Sequence, residues 1–431
     1  FFSKVMPIHL PEKQGDLLAQ RTEGWVAGLQ LTALSLKESQ DPEAFISAFR
    51  GTHRHVLDYL LEEVLNSQSE EVRSFLHQTS ILEQLSASLC DAVTGQKNSR
   101  QLLRYLEQSN LFLVPLDDHR TWYRYHALFA ELLKNQLAQS DVERWDDLHA
   151  RAAGWYQANG YVHNAIEHAF QLSERSLVLR LLEAYAFPLL FQGEVTTVAA
   201  WFERLPDVYL QSSPMLCIAK AWALALMQRQ MRMAEVEQTL QAADNALKLA
   251  NADEALRNLV AGHSASIQAY LMQSPAFAEE NPAKLIAISQ KAQQLLPETE
   301  KAIRSVNALN IGRGYTVLAD LPAAERAYKQ AFEEGVAGGN FYAAIYGPIN
   351  LIVIAIIKGE LNEALRLCEI NLDRFNRLVA GQRFPPIGDL YILKGSLLLE
   401  ENRLAEAEQV LTQGLSLIRW TGEYEAHMRG Y

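Results

Sequence analysis

The chain has 431 residues, 49% of them hydrophobic and 21% charged, and its formal net charge is −12. The length exceeds what one compact core can serve and asks for two to four domains or a repeat array. The acidic balance, with no run of basic residues, excludes a chain that grips DNA or RNA by bulk charge.

Fourteen Pro and 22 Gly are few for this length, which favours helix. Cys90, Cys217 and Cys368 lie more than 100 residues apart and form no CxxC, so no disulfide framework is expected and a reducing cytoplasm suits the chain. The longest apolar run, INLIVIAII at 349–357, is far short of the roughly 18 residues a membrane span needs. The chain opens on FFSK, without Met, and ends in EYEAHMRGY, which still reads as helix. We expect a piece of a longer protein.

Residues 1–50 are amphipathic: GDLLAQRTEGWVAGLQLTALSL puts Trp25, Leu29, Thr32 and Leu36 near one helical stripe. Gly24 and Gly28 interrupt it, predicting a helix break or a close backbone approach. Residues 51–144 open with helical runs, HVLDYLLEEVLN, EEVRSFLHQTSIL and SRQLLRYLEQSN. Then the period changes. LFLVPLDDHRTWYRYHALF reads as strand, turn, strand, with Asp117, Asp118, His119 and Arg120 as the polar turn. Helices followed by a β-hairpin outline a winged helix, and ALFAELLKNQLAQS starts the next helix.

From 145 to 431 every segment reads as helix, in pairs. LNIGRGYTVLADLPAAERAYKQAF carries Gly312, Tyr315, Ala324, Tyr328 and Ala331; YILKGSLLLEENRLAEAEQVL carries Gly395, Leu398, Leu404, Ala407 and Leu411. Between them GPINLIVIAIIKGELNEALRLC carries Leu351, Gly359, Leu361 and Ala364. The first and third share a tetratricopeptide pattern, with small residues where two helices touch. Ala324 to Ala364 is 40 residues and Ala364 to Ala407 is 43, longer than the usual repeat of about 34. The fold class expected is mainly α: a winged-helix arm followed by an α-α superhelix of tetratricopeptide-like repeats, whose groove binds peptides or ligands.

Counting from Gly312 and Gly395 as the eighth position of a first helix puts Val306, Leu309, Arg313 and Thr316, and Asp389, Ile392, Ser396 and Leu399, on the concave face. The weaker repeat adds Tyr346, Ile349, Val353 and Ile356. Arg313, Tyr346, Asp389 and Ser396 are the candidates for contact with a polar ligand; the alternative is a solvated groove. Trp155, Trp222 and Tyr315 read as filler between helices.

Enzymatic signatures are missing. The chain has no GxxxxGK[ST] phosphate loop, no HExxH and no GxSxG elbow. His163 and His168, five apart, do not share a helical face well, and Glu62, Glu63, Glu70 and Glu71 follow solvent faces. No catalytic residue and no metal site is expected. His126, where the aromatic strand turns into a helix, reads as a neutral core histidine or as the sensor of a bound group.

RTEGWVAGLQLTALSL, EEVL…VRSFLHQTSIL…LCDAVTG and LFLVPLDDHRTWYRYHALFAELL, in that order, closely resemble the large ATP-dependent LuxR-type transcriptional activators, the MalT-like signal-transduction ATPase regulators. KAWALALMQ and the long repeats extend the resemblance over nearly the whole chain. It implies an ATPase module, a winged-helix arm, a superhelical sensor and a C-terminal helix-turn-helix domain. On that resemblance residues 1–50 are the end of the ATPase module and its linker, 51–144 the arm, and 145–431 the sensor. The fragment itself would carry no cofactor and no activity, with ATP or ADP bound elsewhere in the intact protein. The implied partners are a small-molecule inducer, further copies of the activated protein, promoter DNA through a domain absent here, and an inhibitory protein. No membrane is implied. The resemblance also implies that His126 contacts the phosphates of bound ADP in the resting state. GWVAGL departs from the Gly-Leu-Pro that packs on adenine in many such ATPases. A rival reading is a scaffold whose groove takes a peptide or an inhibitory protein.

Overall fold

The computed structural model describes residues 12–21, 65, 67–109, 111–140, 142–211, 213–227, 233–272, 280–378 and 384–418. The stripe at Trp25 to Leu36, the break at Gly24 and Gly28, and all of HVLDYLLEEVLN except Leu65 lie outside these residues. The described residues form twenty helices and one two-stranded sheet, divided between two compact units, Phe1–Leu181 and Leu182–Tyr431. None of these helices is long and apolar enough to cross a membrane.

The first unit holds α1 (Glu12–Arg21), α2 (Glu70–Thr79), α3 (Ala87–Thr94) and α4 (Ser99–Gln108), then β1 (Leu113–Pro115) and β2 (Tyr123–Tyr125). Helices α5 (Ala127–Ser140), α6 (Val142–Ala158) and α7 (Val162–Ala169) follow. Serines start two of the helices: Ser69 Oγ accepts from Val72 N and Ser86 Oγ from Leu89 N, each meeting a donor that a helix N-terminus leaves without an internal acceptor. Gly95 ends α3 at φ 73°, a left-handed position where glycine avoids the Cβ clash.

The hairpin is antiparallel, with Leu113 opposite Tyr125 and Pro115 opposite Tyr123. Its polar turn lies where the sequence places it. The Asp117 carboxylate accepts from Thr121 N at 3.0 Å, Trp122 N at 2.7 Å and the Thr121 hydroxyl at 2.7 Å. Those bonds, the Thr121 hydroxyl's foremost, lower the Asp117 pKa to about 2. A bridge between Leu85 and Tyr123 ties the hairpin to the chain before α3. Phe75, Leu76, Leu89, Leu106, Phe129, Leu132 and Leu133 are fully buried, forming the apolar interior of the winged helix. Helix α6 packs on both α3 and α7.

The division falls within α8 (Ser176–Phe191), and the second unit then holds α9 (Val195–Glu203), α10 (Asp207–Leu210), α11 (Pro214–Met227), α12 (Met233–Leu249) and α13 (Glu254–Leu271). It continues with α14 (Pro282–Leu295), α15 (Lys301–Val317), α16 (Leu321–Gly338), α17 (Phe341–Ile357), α18 (Leu361–Leu378), α19 (Ile387–Glu400) and α20 (Leu404–Ile418). From α13 to α20, leaving aside the pairing across residues 273–279, each helix packs on the next, and α11, α13, α15, α17 and α19 also touch in succession. That is the two-layer stacking of helix-pair repeats.

The turns repeat as well. Ala319, Gly359 and Asn402 have φ of 58°, 76° and 58°, each two residues before the next helix. After each, an amide reaches back over a full turn: Asp320 N to Tyr315 O, Glu360 N to Ala355 O and Arg403 N to Leu398 O, all 2.9 Å. One helix-ending motif is thus built from three different residue types, and it recurs at Gly160, Gly193, Asn251 and Gly339. Gly312 and Gly395 lie at helix contacts as the pattern requires. A Cβ on Gly312 would stand 2.5 Å from the Tyr328 ring, and one on Gly395 2.5 Å from Leu411 Cγ.

Candidate functional site

The contacting first helices α15, α17 and α19 present the sequence-derived groove positions. Two expectations fail here. Ile349 and Ile392 are 5% and 3% exposed, buried among the helices rather than open to a groove. Both are large aliphatic side chains, and taking such a group out of water lowers the free energy by about 1.5–3 kcal/mol.

The polar candidates behave differently. The Tyr346 hydroxyl donates to Asp389 Oδ2 at 2.9 Å, joining α17 to α19. Asp389 lies in the first turn of α19, where the positive end of the helix dipole favours a carboxylate. Ser396 follows two turns later on α19; it is exposed, and its hydroxyl donates to Ile392 O at 3.0 Å within its own helix. Arg313 on α15 is half-buried, and its charge reaches the Tyr328 phenol, whose pKa is nonetheless raised by burial. Tyr346 and Asp389 are thus brought into direct contact, Ser396 shares the helix of Asp389, and Arg313 lies one repeat earlier.

His126 sits at the junction of β2 and α5 and is 8% exposed. Its backbone N–H donates to Phe112 O at 2.7 Å, and its carbonyl accepts from Ala130 N at 2.9 Å as the first bond of α5. The ring meets Phe112 edge-on, with centroids 5.9 Å apart and planes at 78°. The described residues place it in the winged-helix interior.

Sequence reasoning missed a histidine pair. His168 was weighed against His163 on its own helix, but its partner is His149 on α6: the two Nδ1 atoms are 2.9 Å apart, and the rings are 8% and 4% exposed. One Nδ1 donates and the other accepts, which needs at least one neutral ring. Burial, then the His168 and Lys134 charges, lowers His149 to about 3; burial, then Lys134, lowers His168 to about 4. Tyr156 stacks on His168 at 5.3 Å and Trp145 lies 4.6 Å from His149. The signal available was that the two histidines occupy consecutive helices of one hairpin. A second pair was equally hidden: Trp222 Nε1 donates to His263 Nδ1 at 3.2 Å, confirming Trp222 as interior filler. Among the described residues no group of three or more His, Cys, Asp or Glu gathers as a metal site.

A winged helix and a row of paired helices define a helical-repeat protein with a winged-helix domain. The MalT winged helix domain matches residues 61–145, and the MalT-like TPR region matches residues 262–431. Similar along 97% of the chain are the HTH-type transcriptional regulators MalT of Vibrio parahaemolyticus, 27% identical, and of Serratia proteamaculans, 28% identical. The chain spans 46% and 45% of their lengths, less than half of each. It is also 33% identical over 222 residues to the serine/threonine-protein kinase PknK of Mycobacterium tuberculosis, covering 52% of this chain and 20% of the kinase. A Signal Transduction ATPase with Numerous Domains protein with a tetratricopeptide repeat sensor, from Pyrococcus horikoshii, superposes with a TM-score of 0.34 at 14% identity, covering 93% of this chain and 73% of that one. The chain thus carries a winged-helix region and a tetratricopeptide-repeat region of the MalT type.

Proposed function

We propose that the repeats sense a small-molecule inducer and that the arm passes this signal to nucleotide-binding and DNA-binding parts of a longer protein. The supporting observation is the polar row on contacting first helices, where the Tyr346–Asp389 hydrogen bond spans two repeats at 2.9 Å. An inducer acts only if it binds the two states of the protein with different affinity. A ligand that displaces Asp389 from Tyr346 would couple binding to the spacing of α17 and α19. In the intact protein, inducer binding favours an ATP form that self-associates and brings its helix-turn-helix domains onto promoter DNA. His126 contacts the nucleotide phosphates of the resting form; His126→Ala in the full-length protein weakens ADP retention, and unchanged ADP affinity returns it to a packing role.

The test is a thermal-shift screen of this chain against sugars, amino acids, aromatic acids and nucleotides. A ligand at a hundred times its Kd adds about 2.7 kcal/mol to the domain it binds. A hit abolished by Asp389→Asn identifies the groove. One observation favours the rival scaffold reading: Leu399, on the same helix as Ser396, is 46% exposed, as suits an open surface. A blank screen, followed by capture of an inhibitory protein that Asp389→Asn releases, establishes that reading instead.

A further inference from the structure

The first unit contains a cleft of about 610 Å³, within the usual range of about 300–1,000 Å³ for small-molecule sites. Four pieces of the unit build it. The start of α3 supplies Ser86 and Ser88, α4 supplies Arg100 and Arg104, the hairpin supplies Arg120 and Trp122, and the α6–α7 corner supplies Trp155 and Tyr161. His126 does not line it.

Two features separate this cleft from an ordinary solvated surface. The first is charge. The chain as a whole carries −12, yet three guanidinium groups and His119 meet here. Arg120 pairs with Glu107 at 3.0 Å. Arg100 and Arg104 make no ion pair or side-chain hydrogen bond among the described residues. The second is an aromatic wall held in shape. Trp155 and Tyr161 lie nearly parallel at 10°, centroids 5.8 Å apart, and Trp122 meets both edge-on, at 6.4 and 6.0 Å. Tyr161 remains 43% exposed. The Asp117 bond to Trp122 N, at 2.7 Å, fixes the backbone that carries Trp122. These contacts hold the three rings to one another, which lowers the ordering cost of binding.

We propose that this cleft binds an aromatic anion: a flat ring against Trp122, Trp155 and Tyr161, with its phosphate or carboxylate on Arg100 and Arg104. Ring faces supply stacking, and guanidinium forks supply paired charge-assisted hydrogen bonds to either anion. The site lies in the arm, so its ligand is a second input, separate from an inducer in the repeats.

The experiment is calorimetric titration of the 431-residue chain, with tryptophan fluorescence as a second readout, using AMP and indole-3-acetate as the two sources of the shared chemistry. Controls are adenosine, inorganic phosphate and a single-stranded oligonucleotide. The expected result is saturable binding of at least one aromatic anion, at least tenfold tighter than adenosine or phosphate, and weakened by salt because the arginines are exposed. The R100E/R104E variant, which removes no ion pair or side-chain hydrogen bond among the described residues, loses at least tenfold in affinity with an unchanged melting temperature; Trp155→Ala loses the fluorescence response. Failure of both probes overturns the proposal. So does phosphate binding as tightly as AMP, a preference for the oligonucleotide, or affinity that survives charge reversal.

Discussion

The Tyr346 hydroxyl donates to Asp389 across two repeats at 2.9 Å. The two residues are 43 apart in sequence and meet because α17 and α19 are neighbouring first helices. Tyr346→Phe removes the donor and leaves a partly buried carboxylate without it. A hydrogen bond to a charged group contributes about 1.5–3 kcal/mol when well shielded, and less where water reaches it. We expect a loss of about 1 kcal/mol, read as a lower denaturant midpoint for the repeat unit with an unchanged m-value.

The three repeated turns make a test in opposite directions. Ala319 holds φ 58° with a Cβ, while Gly359 holds φ 76° at the equivalent place without one. The left-handed conformation costs an L-residue roughly 1–2 kcal/mol, partly offset by glycine's greater freedom in the unfolded chain. Ala319→Gly should stabilise by about 0.5 kcal/mol and Gly359→Ala should destabilise by about 1 kcal/mol. Chemical denaturation of the two variants beside the parent chain checks both signs.

Gly395 tests the helix contact itself. Its Cβ position lies 2.5 Å from Leu411 Cγ, closer than packed atoms stand. Gly395→Val should cost about 2–3 kcal/mol through overpacking. Adding Leu411→Ala to that variant should recover part of the loss, and absence of any coupling in the double-mutant cycle refutes the contact as its cause.

Stability of the first unit should fall with acid. His149 and His168 have folded pKa values of about 3 and 4, below the ordinary value of 6.5. The unfolded chain therefore binds more protons between pH 6.5 and about 3, and stability present above pH 6.5 is lost as pH falls through that window. The slope is about 1.4 kcal/mol per pH unit for each histidine. Urea unfolding at pH 7.5 and 5.5 measures it, and H149L/H168L should flatten it. Asp117, at about 2, loses its contribution only at lower pH.

The alternation of Trp122, Tyr123 and Tyr125 and the polar turn before them made the hairpin legible; that Asp117 closes the turn is visible only in the structure. Gly312 and Gly395 likewise marked helix contacts, because a missing side chain is recorded in the sequence itself. Ile349 and Ile392 were misplaced: a position count set by a repeat of about 34 residues carries no information on how deeply neighbouring helices of longer repeats cover each other.

By itself, then, the sequence determined the order of parts: a winged helix with its hairpin, then helix pairs spaced by 40 and 43 residues. These follow from local period, turn chemistry and the placing of small residues, all properties of neighbours along the chain. Only the tertiary structure decided that Tyr346 meets Asp389, that His149 meets His168, and that Trp122 joins Trp155 and Tyr161 beside Arg100 and Arg104. Such contacts depend on which helix faces touch. That is set by side-chain packing between elements 19 to 43 residues apart, and no local pattern in one sequence encodes it.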